Sequence, residues 1–347
     1  MLLRLIAVLF WCGAGTLTFA QHPLIYPGED HLQNICQLSF GGQNAEAYFS
    51  PDGQRLVFQS QRDSFPCDQI FMMDLAGRHI RLLSTGKGRT TCSFFLPDGG
   101  HILYSSTHLA DPACPPPPDR SKGYVWQLFR GYDIFTADTM GHLTGRLTTS
   151  PGYDAEAVVS PKGDLIAFTS VRNGDLDIYT MKLDGSDVRQ LTHETGYDGG
   201  PFFSPDGKKI VYRAYHPTGP QELAEYKELL AEGKIRPFSL QIWVMDVDGS
   251  NKKQLTFNKG TNFAPFFHPD GRQVIFSSNM EDTSAVPMNF DLYLMNLDGT
   301  NLRRITTNPT FDGFPMFSPD GKKLVFASNR NATRPYETNI FICDWVP

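Results

Sequence analysis

Apolar and polar positions follow one another along this chain in a pattern that recurs six times. The stretch FFSPDGKKIVY at residues 202–212 returns as MFSPDGKKLVF at residues 316–326, and looser copies begin at residues 48, 94, 158 and 266. The proline of the central turn stands at positions 51, 97, 161, 205, 269 and 319, so neighbouring copies are 44 to 64 residues apart. This period predicts a repeat architecture built from one supersecondary unit.

Each copy predicts four short β-strands, because its apolar segments are rich in β-branched and aromatic residues. In the fourth copy these segments are PFF, KIVY, QIWVMDV and KKQLTF. The Pro-Asp-Gly turn predicts a tight hairpin between the first two strands, and Asp-Gly predicts another between the last two. The second strand is apolar at consecutive positions, as expected when four-stranded sheets stack face to face around an axis. The pattern therefore predicts an all-β protein, a six-bladed β-propeller with four-stranded antiparallel blades.

The two ends of the chain are predicted to share the last blade. The sixth copy stops after its third strand, NIFICDW at residues 339–345, and a matching fourth strand, HLQNICQLS, occurs at residues 31–39. Closing the last blade with the N-terminal strand removes the free sheet edges. Residues 21–347 are therefore predicted to form a single propeller.

The first twenty residues are predicted to be a signal peptide. Arg4 precedes the apolar run LIAVLFWCGAGTL, and Thr18-Phe19-Ala20 fits a cleavage site before Gln21. A membrane anchor is the alternative, but the run is shorter than the roughly 20 residues that a spanning helix needs. No transmembrane segment is expected in the mature chain, and we expect a periplasmic or secreted protein.

The repeat SPDG-x-x-[IL]-[VA]-F, followed by D-[IL]-[YF]-x-M, DG-[ST] and [QR]-[LI]-T, resembles the TolB-type propeller repeat, a relative of WD-repeat blades. The resemblance covers essentially the whole mature chain. It implies a periplasmic protein that binds the peptidoglycan-associated lipoprotein Pal and other Tol components. TolB proteins carry an α/β domain before the propeller, whereas about ten residues separate Gln21 from the first strand here. We therefore expect the propeller part alone, without the functions of that domain.

Charge and short motifs argue against two classes of function, nucleic-acid binding and serine-dependent hydrolysis. The 31 Lys and Arg residues are outnumbered by 37 Asp and Glu residues, and no basic cluster is interleaved with aromatic residues, so nucleic acid is not expected as a partner. Similar blades precede a hydrolase domain in prolyl-oligopeptidase-type peptidases, but the sequence contains no G-x-S-x-G elbow.

Five cysteines follow the predicted signal peptide, and in an exported protein they are expected to form disulfides. Cys36 lies in the N-terminal fourth strand and Cys343 in the C-terminal third strand. Because these strands should be hairpin neighbours, we predict a Cys36–Cys343 disulfide. One further pair is expected among Cys67, Cys92 and Cys114, with the pairing left open.

Two copies carry long insertions between their second and third strands. The insertion at about residues 108–131 is rich in proline, and the one at about 218–236 predicts a short helix capped by Thr218 and ended by Gly233. An apolar stripe on this helix, Leu223, Tyr226 and Leu230, either packs on the propeller or binds a partner. Strands alternate in direction, so both insertions lie on one face, the insert face, and the Pro-Asp-Gly turns lie on the opposite hairpin face.

Two sets of equivalent positions are candidate sites. Seven residues before each turn proline stands a side chain with a short oxygen: Asn44, Thr90, Asp154, Asp198, Asn262 and Asp312. These residues either hydrogen-bond their own turns or ring the axial channel. In the second case Asp154, Asp198 and Asp312 would be metal ligands, calcium the possible ion, and Glu46 and Glu156 would be ligand-binding residues beside them.

The second set stands at the equivalent position just after the second strand of five copies and consists of Arg62, His108, Arg172, His216 and Arg330. The arginines of this set are expected to bond neighbouring backbone carbonyls. His108 and His216 occur in the two blades with insertions. This is either coincidence or a ligand-binding pair that holds a metal or a substrate with acids of the insertions such as Asp111, Asp119 or Glu222. Some polysaccharide lyases with related blades use histidine-ligated metal, which gives the alternative of a metal-dependent lyase or hydrolase.

The favoured function is a non-enzymatic, exported, monomeric propeller that binds a protein or cell-envelope component on the insert face. Calcium at the mouth of the channel is the one cofactor that the sequence suggests. The hairpin turns are short and nearly identical, so little relief is expected on the hairpin face, whereas the insert face is asymmetric and carries the candidate polar groups.

Overall fold

The computed structural model describes residues 24–62, 64–284 and 288–347. Within them it contains twenty-six β-strands and one α-helix. The predicted signal peptide, residues 1–20, lies outside the described residues and stays a prediction. No helix of the described chain is long and apolar enough to cross a membrane.

The strands form six four-stranded antiparallel sheets, as predicted. Blade 1 contains β2 (Gln43–Phe49), β3 (Arg55–Gln61), β4 (Gln69–Asp74) and β5 (Arg81–Leu82). Blade 2 contains β6 (Thr90–Phe95), β7 (His101–Ser106), β9 (Asp133–Asp138) and β10 (Leu143–Arg146). Blade 3 contains β11 (Asp154–Val159), β12 (Ile166–Ser170), β13 (Asp177–Met181) and β14 (Arg189–Gln190). Blade 4 contains β15 (Tyr197–Phe203), β16 (Lys209–Tyr215), β18 (Gln241–Asp246) and β19 (Lys253–Gln254); blade 5 contains β20 (Asn262–Phe267), β21 (Gln273–Ser278), β22 (Asp291–Asn296) and β23 (Arg303–Arg304); blade 6 contains β24 (Asp312–Phe317), β25 (Lys323–Ser328), β26 (Asn339–Trp345) and β1 (Leu32–Gln37).

The predicted closure of the ring is confirmed. Strand β1 pairs with β26, so both chain ends build blade 6. Leu32 and Ile35 of β1 are buried in the same apolar cluster as Phe341 and Cys343 of β26. Burial of each such side chain stabilises the fold by roughly 1.5–3 kcal/mol, so the N-terminal strand is an integral part of the core.

The second strand of each blade supplies the centre of the core. Leu56, Val57 and Phe58 of β3 are fully buried, and the equivalent triplets in the other five blades are buried to the same degree. Both faces of these strands are covered because each sheet packs between two neighbours. The hairpin turns behave as predicted, with Gly53 and Gly207 at φ +67° and +65°, a region that glycine adopts without strain.

The predicted Cys36–Cys343 disulfide is wrong. Both cysteines are free, with Cys36 exposed and Cys343 buried. Cys36 is opposite Ile342 in the ladder, after a bulge in β1, and successive residues of a strand face opposite sides. Cys343 therefore faces the core between blades while Cys36 faces away from it. The second expectation is confirmed, because Cys67 and Cys114 form a disulfide.

The insertion in blade 4 contains the predicted helix, α1 (Pro220–Ala231). Its start differs from the prediction, because the N-cap is Gly219 with Pro220 in the first turn, and Thr218 bonds the Glu222 carboxylate instead of capping. Gly233 follows the helix at φ +70°, as predicted. Tyr226 is buried against the propeller. Tyr226 and Leu230 of the predicted stripe therefore pack on the propeller.

Candidate functional site

The axis of the propeller is lined by six equivalent residues that the sequence analysis did not single out as a set. Each innermost strand has a register shift five residues before its turn proline. The residues at these bulges all have φ between +48° and +59°: Glu46, Cys92, Glu156, Gly200, Ala264 and Phe314. A left-handed conformation strains every residue except glycine, and such strain is found at sites where the surroundings impose it.

A small cavity at this bulge layer, which we call the axial chamber, is lined by polar and charged side chains that include Glu46, Cys92, Glu156 and Arg213. The guanidinium of Arg213 bonds the Glu156 carboxylate, and both side chains are about nine-tenths buried. Glu156 also accepts bonds from the Thr169 hydroxyl at 2.7 Å and the Gly200 amide at 2.8 Å. The chamber is therefore a small polar site inside an apolar fold.

Arg213 is a member of the chamber that the sequence analysis did not consider at all, although its position in the repeat is unusual. At its position, eight residues after the turn proline, the other copies have Gln59, Ser105, Thr169, Ser277 and Ala327. A charged residue in the middle of a buried strand requires a partner. The structure supplies Glu156 from blade 3 and the aromatic faces of Trp126 and Tyr197, at 5.2 and 5.5 Å from the guanidinium carbon.

Burial raises the pKa of two acidic side chains in the chamber, Glu46 and Cys92. It raises the pKa of Glu46 to about 7, and the charge of Glu156 adds to the effect. Burial, followed by the charge of Glu46, also raises the pKa of the Cys92 thiol well above its usual range. One oxygen of Glu46 and Nε of Arg213 have no hydrogen-bond partner among the described residues. The chamber thus combines a carboxyl that titrates near neutrality with polar atoms free to bind a ligand.

We expect the stability of the fold to fall as pH rises through about 7, and Glu46 to contribute. Its folded-state pKa lies above the ordinary 4.5, so its stabilisation is complete below pH 4.5 and is lost as pH rises through about 7. Burial raises the pKa of Asp177 and of Asp291 to about 7 as well, so they contribute in the same direction.

The variant Glu46→Gln should therefore flatten the dependence of unfolding free energy on pH between 5 and 8, by up to about 1.4 kcal/mol per pH unit at its steepest. Urea unfolding at a series of pH values measures it. Glu228→Gln, at an exposed helix position, is the control. An unchanged slope in Glu46→Gln would contradict the assignment.

The carboxylates predicted as metal ligands are each paired within their own blade. Asp154 accepts a bond from Arg172 at 3.0 Å and Asp312 from Arg330 at 2.8 Å. Asp198 is 3.1 Å from Nε2 of His216. The two candidate sets of the sequence therefore contact each other. Arg330 also bonds a backbone carbonyl, that of Leu24, as expected, whereas Arg172 bonds the Ser170 hydroxyl and the Asp154 carboxylate.

Neither alternative of the sequence analysis describes these ion pairs, in which the three carboxylates bond side chains of their own blades and not only their own turns. Asp154, Asp198 and Asp312 are almost completely buried. Among the described residues, no group of three or more His, Cys, Asp or Glu side chains is arranged to hold a metal ion. The calcium site stays a prediction that the geometry does not support.

The two histidines also have partners of their own blades. Nδ1 of His108 lies 2.8 Å from the Ser106 hydroxyl, and its ring lies against Phe135. His216 contacts Asp198, and its ring lies against Trp243. Among the described residues, no hydrogen bond or ion pair joins either histidine to Asp111, Asp119 or Glu222. Their role in ligand binding remains a prediction.

The two insertions form one structure, which we call the insert cap: residues 108–131 and 218–236. Strand β8 (Trp126–Gln127) of the first pairs with β17 (Lys234–Ile235) of the second. Lys122 bridges Glu228 and Glu232 of the helix at 2.8 and 2.6 Å. The Cys67–Cys114 disulfide ties the cap to blade 1. Because Trp126 covers Arg213, the cap lies over the axial chamber on the insert face.

The family of this propeller follows from its sequence as well as its shape. The sequence model of the TolB beta propeller domain matches residues 125–236 and 234–340, more than half of the chain. The chain belongs to this family.

Several proteins are similar to this TolB-type propeller. An uncharacterised protein of Agrobacterium fabrum is 29% identical over 242 residues, which is 67% of this chain and 69% of that protein. A protein assigned as TolB in Agrobacterium tumefaciens superposes with a TM-score of 0.60 at 20% identity, covering 90% of this chain and 97% of its own. TolB from Acinetobacter baumannii gives 0.54 at 18% identity, with 88% of this chain and 64% of that TolB covered.

The structural likeness at these identities shows the fold alone. The same holds for an oligogalacturonate lyase of Vibrio parahaemolyticus, which is 13% identical with a TM-score of 0.52, covering 91% of this chain and 96% of its own. Function must therefore be argued from the surface and sites of the TolB-type propeller itself.

Proposed function

We propose that this TolB-type propeller is an exported binding protein that docks a protein partner on its insert face. The observation that carries the proposal is the distribution of exposed aromatic side chains. All five such side chains of the described residues lie on connections of the insert face: Phe40, Tyr124, Phe238, Phe257 and Tyr336. Aromatic residues are enriched at protein interfaces and supply much of their binding energy.

The most exposed members lie on three different blade connections. Phe257 is 80% exposed on the link from blade 4 to blade 5, and Phe40 is 70% exposed on the link into blade 1. Tyr336 is 86% exposed between the second and third strands of blade 6. Removing large aromatic side chains from water is favourable, so a partner that covers these residues forms a more stable complex.

The insert cap supports the same face. Tyr124 of the first insertion stacks on Phe238, two residues after the second, with ring centroids 6.3 Å apart, so the cap and its flank present a composite aromatic surface. The cap is held by the β8–β17 ladder, ion pairs and a disulfide. A rigid surface loses little entropy when a partner binds, which favours affinity.

The alternative, a metal-dependent lyase or hydrolase, has no specific observation in its favour. The candidate histidines bond residues of their own blades, and the similarity to a lyase is one of fold. We therefore propose a binding function without catalysis.

The test is a comparison of matched surface variants. A triple variant, Phe40→Ser, Phe257→Ser and Tyr336→Ser, should weaken binding of the purified partner, first captured from envelope extract, by at least about tenfold, since hot-spot aromatics each contribute about 1–2 kcal/mol or more. Biolayer interferometry measures the affinity.

The matched control removes exposed apolar side chains from the hairpin face. Val188→Ser and Leu302→Ser lie on turns between third and fourth strands, and both residues are exposed. This control should bind as the unmodified protein does. Loss of binding in the hairpin-face control, with normal binding by the insert-face triple variant, would contradict the proposal.

A further inference from the structure

The hairpin face has more relief than its short turns led us to expect. A cavity of about 350 Å³ opens there on the axis, and six equivalent prolines line it. They are the turn prolines Pro51, Pro97, Pro161, Pro205, Pro269 and Pro319. We call this cavity the hairpin-face funnel. It lies on the face opposite the proposed docking surface.

The floor of the funnel is closed by aromatic rings that meet across the axis. Tyr48 of blade 1 contacts Phe202 of blade 4, the opposite blade, with ring centroids 5.6 Å apart. Phe94 contacts both of them, at 5.7 and 6.3 Å, and Phe266 contacts Phe202 at 5.3 Å. This aromatic floor separates the funnel from the axial chamber, so the two are distinct sites.

The lining of the funnel is apolar and electrically neutral. Apart from the prolines it consists of aromatic, valine, methionine and serine side chains, with no charged side chain among the lining residues that the structure describes. The serine hydroxyls are used by the turns, since Ser204 and Ser318 donate to Asp206 and Asp320 at 2.6 Å. A charged ligand would lose its hydration here without a compensating partner.

We propose that the hairpin-face funnel binds an uncharged aromatic small molecule. The volume lies at the lower end of the range for small-molecule pockets and fits a compound of about two linked aromatic groups, such as a phenyl and a naphthyl group. Rings of such a ligand would stack on the aromatic floor, and its apolar surface would displace water that cannot bond to the lining. The inference is independent of the proposed function, because the aromatic floor and the opposite face separate the two sites.

A fluorescence titration with N-phenylnaphthylamine, a neutral two-part aromatic probe, tests the proposal. Its emission should rise in a saturable manner with one site per propeller. In Val158→Phe the affinity should fall at least tenfold. Val158 lines the funnel at the position that phenylalanine occupies in three other blades, Phe94, Phe202 and Phe266, so the repeat already accommodates the larger side chain. Val158 also borders the axial chamber, whereas Met316 lines the funnel alone, so the variant Met316→Phe should lower the affinity equally.

Two further variants make the result decisive. Met316→Phe fills the funnel from blade 6 and serves if Val158→Phe does not fold, and Glu46→Gln lies beyond the aromatic floor and should bind the probe normally. Absence of saturable probe binding by the unmodified protein would overturn the proposal. So would normal binding by a folded, funnel-filled variant. If the probe does not bind but a funnel-filled variant loses the protein partner, the funnel takes a side chain of a macromolecule and the small-molecule assignment is wrong.

Discussion

Replacing Arg330 with methionine is expected to lower the free energy of unfolding by about 3 to 5 kcal/mol, the cost of breaking a buried ion pair from one side. The side chains of Arg330, Glu29 and Asp312 are all fully buried. The guanidinium donates to both oxygens of Glu29, at 3.0 and 3.1 Å, and to Asp312 at 2.8 Å. Methionine leaves two carboxyl groups in the core without their cation.

The same network explains why the loss should be large. Arg330 also donates to the Leu24 carbonyl at 2.6 Å, so it joins the segment before β1 to blade 6, where the ring closes. Burial already raises the pKa of Asp312, and Arg330 opposes this rise. Without the arginine, the pKa of this carboxyl is expected to rise further.

A matched control is available at the equivalent position of blade 3. Arg172 bonds Asp154, but its side chain is 18% exposed and it has one carboxylate partner. Arg172→Met should therefore lower the free energy of unfolding by less than Arg330→Met does. Urea denaturation of the two variants measures the difference. Equal losses would mean that the shared blade has no special network.

The second large effect is expected from removing the disulfide. Cys67 and Cys114 are 47 residues apart, and closing a loop of that length stabilises the fold by at most about 4 kcal/mol through the entropy of the unfolded chain. Replacement of both residues with alanine should approach this loss. The double alanine variant avoids placing a hydroxyl at the fully buried position of Cys67.

The loss should be concentrated in the insert cap. Residues 108–131 are anchored at one end by the disulfide and at the other by the β8–β17 ladder, so the variant should be cleaved faster by protease within this segment. Cys92→Ala, which removes a free thiol, is the control. Stability and cleavage equal to those of the unmodified protein would show that the ladder alone holds the cap.

The fold could be predicted because its determinants are local. Each Pro-Asp-Gly turn and its flanking apolar strands are encoded within about a dozen residues. The fourth strand of the last blade could be recognised because the sixth copy lacks one and an extra one precedes the first copy. The chemistry of the site depends on longer distances. Asp154 and Arg172 were recognised separately, but their pairing follows from the register of two strands.

Bulges account for the main errors. A regular strand alternates its faces, so the bulge five residues before each turn proline changes which side chains reach the axis. Glu46 and Glu156 were placed near the axis, but Cys92 was considered only as a disulfide candidate. A bulge in β1 likewise places Cys36 opposite Ile342 and not Cys343.

The insert cap could not be predicted, since it is formed by two-residue strands more than a hundred residues apart in the sequence. Strands this short have no periodic pattern of their own. Trp126 of the blade 2 insertion and Arg213 of β16 in blade 4 are likewise far apart in the sequence and meet only in the folded chain.

The most direct test of the central claim is amide hydrogen exchange of the propeller with and without its captured protein partner. The account predicts slower exchange in the complex at the aromatic connections of the insert face, residues 38–42, 255–261 and 331–338, and in the insert cap. The hairpin turns at residues 51–54, 205–208 and 319–322 should exchange at unchanged rates. Protection of the hairpin turns, with the aromatic connections unaffected, would contradict it.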